Sequence, residues 1–154
     1  MIDTPQTVQT TTQLTALIHL TLSHEEMREV FGACVGELIA AIQAQGIAPA
    51  GPVFTHHLRR PTDTFDFELC VPVATPVAAA GRVQPGAWPA MRVARTIYHG
   101  PDEGLPAAWG GFMDWMETQG LQQAEDLWEC YLTGPHSEPD PARWQTQLNR
   151  PLAG

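Results

Sequence analysis

Hydrophobic and polar residues alternate in the first part of the chain. Every second position from Val8 to Leu22 carries an apolar residue or threonine, whereas Gln9, Gln13 and His19 lie between them. Successive side chains of a strand point to opposite faces of a sheet, so the pattern predicts one long, half-buried strand. Further segments predict strands at residues 53–58, 64–71, 91–98, 127–132 and 144–148.

Two other segments repeat apolar residues every three or four positions, as an amphipathic helix does. The first begins after Ser23, which forms a capping-box sequence with Glu26, and ends before Gly46. The second runs from about residue 102 to residue 119 and ends before Gly120. The proline- and glycine-rich residues 72–89 predict a loop that connects two of the strands.

A constant offset of 74 residues relates the two halves of the chain. Phe54 matches Trp128, Leu58 matches Leu132, and Pro61 matches Pro135 at this spacing. The pattern predicts a strand-helix-strand-strand unit that occurs twice, in pseudo-repeats at about residues 7–76 and 80–152.

Each such unit has one apolar sheet face and one apolar helix stripe that must be buried. We therefore expect one α+β domain over residues 1–154, with a curved antiparallel sheet, two helices on one face and a ligand groove on the other. Gly36 and Gly110 occupy equivalent positions in the two helices, and Gly110 and Gly111 should each cost the second helix about 1 kcal/mol relative to alanine. Close backbone approach is the interpretation that we favour over a hinge.

Charge and cysteine content narrow the function classes. The 154 residues include 8 Lys and Arg against 17 Asp and Glu, a formal net charge of -9, which argues against direct DNA binding. Cys34, Cys70 and Cys130 lack metal-ligand spacing and are interpreted as buried thiols of a reducing cytoplasm. We find no secretory signal and no run of about 18 apolar residues that could span a membrane.

Residues 127–132 hold the most informative candidates for chemistry. Alternation predicts that Trp128, Cys130 and Leu132 share the helix-covered face, whereas Glu129 and Tyr131 share the other face. A carboxylate beside a phenol is either a solvated surface pair or part of a groove. The 74-residue offset favours the groove, because it places Thr55 and His57 at the equivalent positions of the first repeat.

Further polar and aromatic residues extend this candidate groove. Glu68 also points away from the apolar face of its strand, and Trp109 and Trp88 are candidate walls. Aromatic walls around a carboxylate suit a cationic or planar ligand. A metal site at His56 and His57 is disfavoured, because adjacent strand residues point to opposite faces. We expect neither a metal nor a cofactor.

Several motifs in this order resemble the GyrI-like small-molecule-binding family, the effector-binding domain of AraC- and MerR-type bacterial regulators. They are Phe67 to Val73, Tyr98-His99-Gly100-Pro101 before a Trp-bearing helix, Trp128 to Pro135, and Asn149 to Leu152. The resemblance implies the duplicated fold and a groove around a buried glutamate, which Glu129 matches, with Tyr131 as the aromatic residue two positions on. The usual tyrosine after the His-Gly-Pro turn is Asp102 here.

The resemblance leaves three functions open for a stand-alone chain without a helix-turn-helix part. The first is binding of a small hydrophobic or cationic ligand, with Glu129 as charge partner and Tyr131, His57, Trp109, Trp88 and Glu68 around it. The second is hydrolysis of cyclopropane-type natural products, with Glu129 as the base. The third is protein interaction, as in gyrase inhibition. The sequence does not determine the oligomeric state.

Overall fold

The computed structural model describes residues 2–133 and 138–153, and Pro135 of the repeat comparison lies outside them. The described residues form eight strands and two α-helices, and a 3-10 turn, Asp102–Gly104, leads into the second helix. The elements are β1 Gln6–Gln9, β2 Gln13–Ser23, α1 His24–Ala44, β3 Phe54–His57, β4 Thr64–Pro72, β5 Gln84–Trp88, β6 Arg92–His99, α2 Leu105–Thr118, β7 Leu127–Thr133 and β8 Gln145–Pro151.

The elements divide into two compact units. The central unit is Thr11–Ala90, and the terminal unit consists of the residues up to Thr10 and those from Met91 onward. The central unit has the antiparallel strand order β3-β4-β2-β5, and the terminal unit has the order β7-β8-β6-β1. Each unit therefore contains strand, helix, strand and strand in sequence, with an added edge strand. The α+β fold with duplicated antiparallel units is confirmed; the prediction that residues 1–154 form one domain stays a prediction.

Helix α1 begins where its capping box predicts. The Ser23 hydroxyl accepts a hydrogen bond from the Glu26 backbone N–H at 3.2 Å, and the Ser23 backbone N–H donates to Glu26 Oε1 at 3.0 Å. Gly46, just beyond the helix, has φ of 73°, a left-handed conformation that favours glycine. The buried residues of α1 pack on one face of the central sheet, which we call its helix face. They are Cys34, Leu38 and Ile42, and they cover Ala16, Ile18, Leu20, Phe67, Leu69 and Val71.

The terminal unit repeats this packing with α2. Trp109, Phe112 and Met116 are buried in one cluster with Leu127 of β7 and Leu148 of β8. These strand residues define the helix face of the terminal unit. Burial of the apolar stripe of each helix on its sheet supplies the main driving force for each unit.

One predicted strand is two strands in the structure. The alternating segment 8–22 is interrupted at residues 10–12, and β1 pairs with β6 whereas β2 pairs with β4 and β5. At the break, Thr10 Oγ1 accepts a hydrogen bond from the Met91 backbone N–H at 2.9 Å and lies 3.1 Å from the Met91 carbonyl oxygen. A regular alternation cannot show that neighbouring residues belong to different units.

The proline-rich segment 72–89 also contains a strand that the sequence analysis assigned to a loop. Strand β5 pairs with β2, and Gly86 lies opposite Thr15. A Cβ atom at Gly86 would overlap the end of the Leu17 side chain. Strand β5 has room for a proline and a glycine because it is an edge strand.

The prediction of close backbone approach at Gly36 and Gly110 is wrong. A Cβ atom at either position would meet no heavy atom within 4 Å beyond its own helix. These glycines lower helix stability without a packing contact in return.

We therefore expect Gly36→Ala to raise the free energy of unfolding by about 1 kcal/mol, the difference in helix propensity between the two residues. Gly46→Ala, ten residues further along, is the matched control and should lower stability, because its backbone is left-handed. Urea unfolding of both variants, followed by circular dichroism, measures the two effects. An unchanged or lower stability in Gly36→Ala would contradict the expectation.

Neither helix in the described part of the chain has the length and apolar character that crossing a membrane requires.

Candidate functional site

Glu129 lies in the middle of β7 as a buried carboxylate, with 8% of its surface exposed. Its Oε2 accepts a hydrogen bond from the indole Nε1–H of Trp109 at 2.6 Å, and its Oε1 accepts one from the Tyr131 hydroxyl at 2.9 Å. Trp109 comes from α2, whereas Tyr131 is two residues further along β7 on the same face. Both donors are neutral, so they orient the carboxylate without cancelling its charge.

The negative charge of Glu129 acts on its neighbours. Loss of hydration raises the pKa of Asp102, and the charges of Glu129 and then Glu103 raise it further. Burial also raises the pKa of the Cys130 thiol to about 12; nearby Arg95 opposes this rise and Glu129 adds to it. The Cys130 thiol is therefore protonated and unreactive at neutral pH.

The predicted faces of β7 are reversed. Glu129 contacts Trp109 of α2 and pairs across the sheet with Leu148, a core residue beneath that helix. Alternate residues of a strand point to the same face, so Leu127 and Tyr131 lie on the helix face with Glu129. Trp128 and Cys130 lie on the opposite face. Trp128 and Cys130 are nevertheless buried, at 3% and 7% exposure, so apolar character did not identify the face that the helix covers.

His57 of the central unit also lies on a helix face. It pairs with Phe67 and stacks on that ring at a centroid distance of 5.3 Å, and its Nε2 lies 3.0 Å from the Thr55 hydroxyl oxygen. His57 is 2% exposed. The 74-residue offset correctly predicted that Thr55 and His57 occupy the same face of their unit as Glu129 and Tyr131 occupy in theirs. In both units this is the helix face, whereas the sequence analysis expected the opposite face.

Glu68 and Trp88 lie on the opposite face of the central sheet. Glu68 pairs with His19 and His56, and its Oε1 lies 3.0 Å from His56 Nδ1. Trp88 is 7% exposed and packs on Phe54 at a centroid distance of 5.4 Å. Trp88 is therefore an anchor within a strand and not a loop residue over a groove. The expected convergence of Glu68 with the Thr55 and His57 side chains on one face is wrong, because β4 directs Glu68 away from them.

The site residues named from the sequence thus fall into two sets. Trp109 and Tyr131 meet Glu129 in the terminal unit, whereas His57, Trp88 and Glu68 belong to the central unit. The sequence analysis noted Asp102 only as a departure from a family pattern, and the charge of Glu129 is one of the causes that raise the pKa of Asp102. Among the residues that the structure describes, no three His, Cys, Asp or Glu side chains are arranged to hold a metal ion.

A buried carboxylate held by an indole and a phenol can pair with a cation or accept a proton from a bound molecule. The duplicated strand-helix-strand-strand units define the α+β class. The chain belongs to the GyrI-like small molecule binding domain family, whose model matches residues 4–152. The comparison with curated proteins found no match.

Solved structures share the fold at low sequence identity. The EcmrR C-terminal domain is 19% identical, with a TM-score of 0.87 over 97% of both chains. The chain spans 57% of EcmrR in its DNA complex, again at 19% identity, with a TM-score of 0.86 over 97% of this chain. SAV2435 bound to tetraphenylphosphonium is 10% identical, with a TM-score of 0.69 over 99% of this chain and 95% of that one. A hydrolase from Listeria innocua is 14% identical, with a TM-score of 0.68 over 97% of this chain and 91% of that one.

Proposed function

We propose that this protein binds hydrophobic organic cations, with Glu129 as the charge partner. The observation that carries the proposal is the buried carboxylate of Glu129, fixed by hydrogen bonds from Trp109 and Tyr131. A carboxylate removed from water attracts a cation more strongly than an exposed one does, because the surroundings screen the charges less. The same two rings offer π faces for a cation or an aromatic body.

The family and one structural relative support this proposal. The family is defined by small-molecule binding, and SAV2435, which shares the fold, was solved with the hydrophobic cation tetraphenylphosphonium. In this chain each oxygen of Glu129 accepts a hydrogen bond from an aromatic donor. The two donors hold the carboxylate in one orientation, which favours binding of a cation of complementary shape.

Titration with tetraphenylphosphonium tests the role of Glu129. We expect Glu129→Gln to fold and to bind this cation at least about tenfold more weakly, because the substitution keeps the shape and removes the charge. Isothermal titration calorimetry measures the affinity, and circular dichroism verifies the fold.

Glu68→Gln is the matched control for this titration, because Glu68 lies on the opposite face of the central unit and should leave the affinity unchanged. Equal affinities of Glu129→Gln and the wild type would refute the proposed role of the carboxylate.

Hydrolysis is the second candidate, favoured by the buried carboxylate and by the structural likeness to a hydrolase from Listeria innocua. Glu129 would accept a proton from a water whose oxygen attacks an electrophilic cyclopropane carbon. A ring C–C bond then breaks, its electron pair passes to the electron-withdrawing part of the substrate, and a proton taken up there completes the addition of one water. Mass spectrometry of the recovered compound separates the two functions. A binding protein returns it unchanged, whereas a hydrolase returns a product heavier by one water, and Glu129→Gln stops its formation.

A further inference from the structure

We propose that the terminal unit carries a second binding site, which takes an organic carboxylate, on the face of its sheet opposite Glu129. The centre of this site is Arg95 of β6, and Asn149 and Gln147 of β8 complete it. The ligand has the opposite charge to the one proposed for Glu129, so this inference does not depend on the proposed function.

Strand pairing places the residues of this site on one face. Arg95 lies directly opposite Asn149, and Asn149 in turn lies opposite Trp128. Laterally paired residues point to the same side of a sheet, so Arg95 and Asn149 share with Trp128 the face that α2 does not cover. Gln147 is two residues before Asn149 and therefore points to the same side.

The three polar side chains form a series of hydrogen bonds whose direction the arginine determines. Arg95 Nε can only donate, and it donates to Asn149 Oδ1 at 2.6 Å. The amide nitrogen of Asn149 therefore points the other way and donates to Gln147 Oε1 at 3.1 Å. Both amide oxygens are thereby engaged, and the groups at the two ends of the series are N–H donors, Nη1 and Nη2 of Arg95 and Nε2 of Gln147. Donors at both ends suit an anion, and a planar carboxylate matches the guanidinium fork.

The charge of Arg95 also favours an anionic ligand. Arg95 is half-buried, and burial lowers the pKa of its guanidinium, which stays charged at neutral pH. Among the residues that the structure describes, no Asp or Glu forms an ion pair with it, although the chain has 17 of them. Arg59, Arg82 and Arg143 each have such a partner. A partly buried cation without an internal counter-charge gains more from a bound anion than a paired one does.

Apolar side chains flank the guanidinium. Ile97 is two residues further along β6 and lies opposite Gln147. Val8 of β1 pairs with Val93, so it lies diagonally across from Arg95 on the same face. Both Ile97 and Val8 are half-buried and belong to neither core cluster. They offer apolar surface beside the charge, so the fitting ligand is a carboxylate on an apolar body.

The probe pair is 2-naphthoate and its uncharged amide, 2-naphthamide, which share one ring system and differ in charge. We expect the wild-type protein at pH 7 to bind 2-naphthoate at least about tenfold more tightly in isothermal titration calorimetry. Arg95→Gln should remove this preference, and Arg95→Lys, which keeps the charge and loses the fork, should keep only part of it. Arg92→Gln is the matched control, because it removes the same charge from the other face of the same strand and should keep the preference.

Circular dichroism verifies the fold of each variant, and the comparison of the two probes on the wild type needs no variant. Equal binding of both probes by the wild type, or binding of neither, would overturn the site. So would a preference that persists in Arg95→Gln, or a loss of the same size in Arg92→Gln. Glu129→Gln should keep the 2-naphthoate affinity within about twofold. A larger loss there would assign the compound to Glu129 and overturn this inference, whereas the titration with tetraphenylphosphonium tests the proposed function separately.

Discussion

Trp109→Phe is expected to lower the free energy of unfolding by about 2–3 kcal/mol at neutral pH. The substitution keeps an aromatic ring in the core but removes the N–H that donates to Glu129 Oε2 at 2.6 Å. A buried polar group that loses its partner costs about 1–3 kcal/mol, and more when the group is charged. The smaller phenylalanine ring adds a packing loss, because Trp109 is only 6% exposed.

A double-mutant cycle separates these two contributions. In the Glu129→Gln background the carboxylate charge is absent, so Trp109→Phe should cost less than half as much there. Urea unfolding of the four proteins gives the coupling free energy between the two side chains. Equal losses in both backgrounds would show that Trp109 acts through packing alone and that its hydrogen bond does not stabilise the charge.

Gly104→Ala should lower the free energy of unfolding by about 3 kcal/mol, the upper part of the range for overpacking a core. The added Cβ atom would overlap the Tyr98 hydroxyl, and Tyr98 is 5% exposed and hydrogen-bonded to Pro101, so the ring has little freedom to move aside. Tyr98→Phe removes the overlapping oxygen and should recover part of the loss, although the ring carbon Cζ would remain 3.0 Å from the new atom.

Gly111→Ala is the matched control for this substitution, because a Cβ atom there meets no heavy atom within 4 Å beyond its helix. It should be neutral or stabilising in the same thermal or urea unfolding experiment. If Gly104→Ala proves as stable as Gly111→Ala, the close packing of the 100–104 turn on Tyr98 is not maintained in solution.

Local patterns predicted most elements of the fold. Alternation located the strands, the Ser23 and Glu26 capping box located the start of α1, and Gly46 and Gly120 marked the helix ends. These signals act within a few residues, so a single sequence contains them in full. The strand β5 was missed because edge pairing tolerates the proline and glycine that normally exclude a strand.

The candidate site was predicted only in part, for a different reason. Alternation correctly grouped Glu129 with Tyr131, but it does not say which face of a strand a distant helix covers. Both faces of β7 are buried around Trp128 and Glu129, so apolar character did not distinguish them. The hydrogen bond from Trp109 depends on how α2 packs, and that contact joins residues 20 positions apart.

The pairing of β1 with β6 has a consequence for how the chain acquires its structure. Strand β1 leaves the ribosome before the central unit and finds its partner, Arg92 to Arg95, only after the whole central unit has been synthesised. The central unit is thus an insertion in the terminal unit, and it has all its strands before the terminal unit can close. A substitution that blocks the pairing of β1 with β6 therefore acts on the unit that carries Glu129, although the central unit follows β1 directly in the sequence.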